Sequence, residues 1–215
     1  RAYAGYRASK YAESTLRDWI DVVEQGMQKQ TLSEGSPDTL KGSFTPDLVA
    51  SKCWLCAELR KHLDQGHAGT VYAPGSWYGN IGLFIAEADI DFDRLVLIEL
   101  EQHLLDASRE LLDLFQEQGR LETILKPAEG VKYEDPCTMI NCSCNEMGPG
   151  FLKQLPTGTL VALQARTNTT ESEHKTETLE EFDRQFPLSE TLSLSRLDLE
   201  DPEMKYTRFL KIGRV

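Results

Sequence analysis

The chain has 215 residues, 40% hydrophobic and 27% charged, which suits a soluble globular domain with a real core. Its 23 Lys and Arg stand against 35 Asp and Glu, a formal net charge of −12, and no Lys/Arg cluster interrupts that balance, so a nucleic-acid partner is disfavoured. No apolar run approaches the ~20 residues that a membrane-spanning helix needs.

Five cysteines, with no signal-peptide pattern ahead of them, favour reduced thiols in a cytoplasm. Arg1 rather than methionine opens the chain, which fits a trimmed or processed start. Tyr3 to Gln30 reads as an amphipathic helix, with Tyr11, Leu16, Trp19, Ile20, Val23 and Met27 recurring at spacings near three and four. The following "TLSEGSPDTLKGSFTPD" is a linker, so residues 1–44 form a helical extension and 45–215 the main domain. That extension suits either a lid or a contact between copies of the chain. Thr45–Pro46 starts a helix that runs to about Leu63.

From Gly69 onward, strand-like and helix-like runs alternate. "GTVYA" is a strand, "WYGNIGLFIAEA" a helix, and "RLVLIEL" a strand covered on both faces. "HLLDASRELLDLFQEQ" is one amphipathic helix. "LETIL", "CTMINC" and "GTLVALQA" are further strands, and "TLEEFDRQF" a short helix. "TLSLSRLDLE" and "KYTRFLKIG" close the chain as a hairpin. The expected fold is α/β: a doubly wound, Rossmann-like, mostly parallel sheet with a C-terminal antiparallel hairpin, plus N-terminal helices.

In such a sheet, ligands bind outside the carboxyl ends of the strands, where strand order reverses. The first strand ends at Ala73, and "PGSWYGN" is the turn that follows. Gly75 and Gly79 allow backbone to approach a ligand closely, and the next helix aims its N-terminal N–H groups at it. Glu99, at the end of the second strand, is placed to accept hydrogen bonds from ribose hydroxyls.

This layout resembles the class I S-adenosylmethionine-dependent methyltransferases, over roughly Phe44 to Val215. The resemblance implies S-adenosyl-L-methionine as cofactor, held by Ala73, Gly75, Tyr78, Gly79, Glu99 and Asn141, the last at the methyl-transfer side. "GSWYGN", "IN-S" followed by an acidic residue and Met, "LVALQ", "EH" followed by "EF", and "TRFLKIG" also resemble uncharacterised methyltransferase-like proteins common in tailed phages. Two positions depart from the family pattern. Thr70 stands where an acidic residue usually precedes the first strand, and "LKPAEG" lacks the Asp that often meets the adenine amino group; Glu129 is the substitute nearest to hand.

Glu146 and Asn145 fall in the loop expected over the sulfonium. Glu146 is suited to take a proton from an acceptor, as is His174 beyond the fifth strand. Gln164, Arg166 and Asn168 leave that strand towards the same crevice, and Arg166 is suited to hold an acceptor carboxylate. The competing interpretation of each is a loop-capping network. Cys53 and Cys56 with Cys137, Cys142 and Cys144 raise a zinc site, but a second two-residue spacing is missing and buried apolar thiols account for them as well. Cys142 or Cys144 as a nucleophile would need a base such as His174. Trp54 reads as core beside Lys52.

The expected activity is methyl transfer to a small-molecule or protein acceptor, with homo-oligomerisation open. The alternatives are a different reaction on the same cofactor, and a catalytically silent binding or assembly protein.

Overall fold

The computed structural model describes residues 43–169, 172, 174–200 and 205–215; the expected Tyr3–Gln30 helix and nearly all of the 1–44 extension lie outside them. A seven-stranded sheet organises the described residues. Its strands are β1 (Thr70–Pro74), β2 (Arg94–Glu99), β3 (Leu121–Leu125), β4 (Cys137–Asn141), β5 (Leu160–Arg166), β6 (Glu190–Glu200) and β7 (Lys205–Arg214). They lie in the order β3-β2-β1-β4-β5-β7-β6. β1 to β5 pair in parallel, β7 inserts antiparallel against β5, and β6 pairs antiparallel with β7 at the edge. The sheet is therefore mostly parallel with a C-terminal antiparallel hairpin, as the alternation of elements predicts.

Strand side chains alternate between the two faces of the sheet, and both faces are covered. Val71, Ala73, Leu95, Leu97, Ile140, Leu160 and Ala162 point into one core cluster. Tyr72, Val96, Ile98, Met139, Val161 and Leu163 point into the other. The first cluster is closed by α1 (Pro46–Arg60), α2 (Ile81–Glu87), α3 (Gln102–Leu111) and α4 (Asp113–Glu117). The second is closed by the 128–155 connections and by α6 (Leu179–Gln185), which brings Phe182 and Phe186. α6 begins with a reciprocal cap: Thr178 Oγ1 accepts from Glu181 N at 3.1 Å, and Glu181 Oε2 accepts from Thr178 N at 3.1 Å.

Three element boundaries differ from the sequence reading, each for a local reason. The helix expected from Trp77 begins only at Ile81, because Trp77 (φ 52°) and Gly79 (φ 69°) are left-handed and cannot propagate a right-handed helix. The single helix expected over 103–118 is broken at Leu112 (φ −111°). There Asp113 Oδ1 takes the Leu114 N–H at 2.8 Å, replacing the helical ladder with a side-chain bond. The strand expected over "CTMINC" stops at Asn141, and α5 (Cys144–Met147) follows at once. Asn141 Oδ1 accepts the Ser143 N–H at 2.7 Å and turns the chain. The strand therefore does not continue through Cys142 and Cys144, and its alternation cannot put them on one side.

Candidate active site

Strand order reverses between β1 and β4, both of which neighbour each other and run parallel. Their carboxyl ends open into a cavity of about 410 Å³. Its walls combine Ala73 of β1 and Gly75, Ser76 and Trp77 after it with Cys142, Ser143, Asn145 and Glu146 after β4. α1 supplies Leu48 and Lys52, β5 Arg166 and β7 Arg208. A cavity of this size and mixed lining falls in the range of small-molecule sites.

The β1 turn is shaped by three left-handed residues at alternate positions, Gly75 (φ 58°), Trp77 (φ 52°) and Gly79 (φ 69°). Glycine meets that demand freely at two of them; Trp77 carries a side chain there at a cost of about 1–2 kcal/mol. Hydrogen bonds hold the strained turn. Glu99 Oε1 accepts the Trp77 N–H, Ile98 O accepts the Gly75 N–H at 3.0 Å, and Ser108 Oγ donates to Trp77 O at 3.3 Å. Glu99 Oε2 also accepts the Leu100 N–H at 3.1 Å. Burial pushes the Glu99 carboxyl up, and these backbone donors pull in the opposite direction without cancelling it.

Glu99 does not line the cavity. Its carboxylate is bonded to the Trp77 and Leu100 N–H groups. Among the described residues the exposed large hydrophobic side chains are Trp77, Leu100 and Leu125 (36%, 69% and 47% exposed), and all three follow or end β1, β2 and β3. Leu125 is the register partner of Glu99.

Of the other expected residues, Ala73, Gly75, Asn145 and Glu146 meet in the cavity. Tyr78 is buried in the core, 3% exposed, with its ring against Trp77. Gly79 packs inward, against Leu97 and Ser108. Asn141 is fully buried and is absent from the cavity wall, its Nδ2 without a partner among the described residues. Asn145 spends its amide on backbone: Nδ2 donates to Arg166 O (3.2 Å) and His174 O (3.0 Å), and Oδ1 accepts from Arg166 N (2.8 Å). That is the capping role, joining α5 to the end of β5. His174 stacks its ring over Gly148, where an added Cβ would meet Nε2 at 2.3 Å, and it is absent from the cavity wall. Glu129 is exposed beside Gly150.

Gln164 is tied to α1 rather than open to the crevice. Its Nε2 donates to Ser51 O at 3.0 Å, and its Oε1 accepts from Ser51 Oγ at 3.2 Å. Asn168 Nδ2 donates to Lys205 O at 2.9 Å, binding the loop to β7. Cys144 is fully buried; burial drives its thiol well up, and its Sγ contacts Asn141 O, so it is not an activated nucleophile. Among the described residues no group of three or more His, Cys, Asp or Glu is placed to hold a metal ion. Trp54 packs on the core, as its helix pattern suggests, whereas Lys52 enters the cavity. Lys52 and Arg208 are the residues that sequence reasoning missed as a pair. They are 156 positions apart, and only the sheet order brings them together.

No family model matches the chain, and no curated protein matches it in sequence. Its fold is nonetheless shared with solved methyltransferases. N-methyltransferase NodS from Bradyrhizobium japonicum WM9, solved in complex with S-adenosyl-L-homocysteine, is 9% identical, with a TM-score of 0.59 over 89% of this chain and 98% of that one. A proposed sarcosine dimethylglycine methyltransferase from Galdieria sulphuraria is also 9% identical, with a TM-score of 0.59 over 81% and 87%. TrmN from Thermus thermophilus is 18% identical, with a TM-score of 0.53 over 82% of this chain and 51% of that one. This chain thus spans about half of TrmN. At these identities the likeness is one of fold: a mixed α/β, Rossmann-like fold held in common with class I methyltransferases.

Proposed function

We propose that the protein binds S-adenosyl-L-methionine across the carboxyl ends of β1, β2 and β4 and transfers its methyl group to an acceptor. The observation that carries this reading is the order of chemistries along one sheet end. Exposed Leu125 at the end of β3 and Leu100 after β2 come first, apolar side chains available to a purine face. Glu99 follows, a carboxylate with about four lone-pair positions of which backbone N–H groups use two, leaving room for ribose hydroxyls. The β1 turn and the polar cavity come last, where Ser76 Oγ is buried without a partner. A nucleoside joined to an amino acid presents the same sequence of groups. NodS, bound to S-adenosyl-L-homocysteine, shares this fold.

The cofactor supplies an electrophilic methyl group, so the chain's task is alignment and removal of a proton. Positioning an acceptor in line provides most of the acceleration in such a reaction. Glu146 is the carboxylate in the cavity wall and the residue we assign to the acceptor proton. Asn145 is a positioning residue, holding α5 and thereby Glu146 against β5. His174 faces Gly148 and has no part in this assignment. The likeness to tailed-phage proteins adds an expectation about relatives and none about the acceptor.

Calorimetric titration of S-adenosyl-L-methionine and S-adenosyl-L-homocysteine tests the reading. Wild type is expected to bind both, and Glu99→Ala to weaken each by about tenfold or more, the loss of hydrogen bonds to a charged group. Absence of binding to wild type overturns the proposal.

A further inference from the structure

The cavity carries more positive charge than a chain of net −12 would be expected to gather in one place. Lys52, Arg166 and Arg208 all line it, and among the described residues Glu146 is the one lining carboxylate against them. Lys52 is 9% exposed and Arg208 7%, and the Arg208 Nε has no hydrogen-bond partner among the described residues. Arg166 and Arg208 are direct register partners across the β5–β7 pair. Like charges placed opposite each other destabilise a sheet unless something neutralises them. Both guanidinium groups sit against the Tyr206 ring, at 5.8 and 5.7 Å from its centroid. Asp47 accepts the Tyr206 hydroxyl; burial pushes its carboxyl up, but hydrogen bonds from Thr45, Tyr206 and backbone N–H groups hold it low. Neither Lys52, Arg166 nor Arg208 has an ion-pair partner among the described residues.

We infer that the acceptor is a small oxyanion-bearing molecule, its carboxylate or phosphate held between Arg166 and Arg208. This rests on the methyl-transfer reading. Adenosylmethionine brings one carboxylate but also an ammonium and a sulfonium, so a loaded cavity is still cationic. One cation, Lys52 or an arginine, can meet the cofactor's carboxylate and two remain. Guanidinium forks match the planar geometry of a carboxylate or phosphate. A cavity of about 410 Å³, part of which the cofactor's amino-acid end fills, admits a small molecule rather than a folded partner's surface.

The test uses the whole chain with and without S-adenosyl-L-homocysteine, at constant ionic strength. Inorganic phosphate and malonate are titrated separately, with binding read by calorimetry. Saturable binding of at least one anion is expected in wild type, about tenfold or more weaker in Arg166→Gln and in Arg208→Gln. Arg196→Gln, on the far hairpin strand, is expected to match wild type. Whichever anion binds tighter names the source, phosphate or carboxylate. Circular dichroism of each variant checks folding, and Arg166→Gln, at the strand end, keeps the test decisive should Arg208→Gln fail to fold. No saturable binding, or equal binding in all variants, overturns the inference. Cofactor binding without anion binding removes this inference alone. Anion binding in a chain that does not bind the cofactor removes the methyl-transfer reading and, with it, the oxyanion's role as acceptor.

Discussion

Gly79→Ala separates two costs that a turn glycine can carry. A Cβ at Gly79 would lie 2.7 Å from Leu97 Cδ1 and 2.8 Å from Ser108 Oγ, inside van der Waals contact with a strand and a buried helix. Ser108 is fully buried and its hydroxyl already bonds Leu104 O at 2.8 Å, so it has nowhere to retreat. Gly119 has nearly the same backbone (φ 67° against 69°) but nothing within 4 Å of an added Cβ. Left-handed strain of about 1–2 kcal/mol applies to alanine at either position. The reduced freedom of the unfolded chain returns about 0.4–1 kcal/mol in both, and cancels between them. Overpacking adds about 1–3 kcal/mol at Gly79 alone. Urea unfolding followed by far-UV circular dichroism should therefore find Gly79→Ala the less stable by about 1–3 kcal/mol. Equal losses in the two variants would refute the close packing of the β1 turn on Leu97 and Ser108.

Two further outcomes follow from the site's neighbours. Gln164→Leu is expected to cost about 1–3 kcal/mol, because the Ser51 hydroxyl and carbonyl lose a buried partner. A double-mutant cycle with Ser51→Ala should return a coupling of about 0.5–3 kcal/mol, and a coupling of zero rules the clamp out. Cofactor affinity should fall with acidification through the Glu99 ionisation, in a window above that of an ordinary glutamate because burial raises this carboxyl. The sign is opposite for the ligand-free protein. A raised folded-state value means that Glu99 contributes stability below its unfolded value and loses it as pH rises through the folded one. Calorimetry at pH values rising from the ordinary glutamate range, on wild type and Glu99→Gln, checks the affinity trend, since the variant should lose the acid limb.

The legible parts of the site were those whose chemistry is local. The glycines of "PGSWYGN" mark a turn after the first strand, and the acid closing the second apolar strand stands beside that turn, its carboxylate bonded to the Trp77 N–H. Trp77 hid its role, because nothing in a tryptophan announces a positive φ; Glu99 and Ser108 impose it from distant strand and helix positions. Asn145 and Gln164 were legible as polar residues near the crevice, but whether an amide faces a ligand or ties backbone depends on which partner arrives within 3 Å. Asn145 met Arg166 and His174, and Gln164 met Ser51.

Period and composition alone determined the strands, their alternation with helices and the closing hairpin, because side-chain burial repeats every two residues in a strand and every 3.6 in a helix. They also set the acidic surface charge. Sheet order was decided only in three dimensions. The insertion of β7 between β5 and β6 places Arg208 opposite Arg166, and the packing of α1 against the same sheet end adds Lys52. Pairing between strands depends on hydrogen bonds and apolar contacts among segments far apart in the chain. No window of sequence contains both partners, so the cationic wall of the cavity existed only once the sheet had closed.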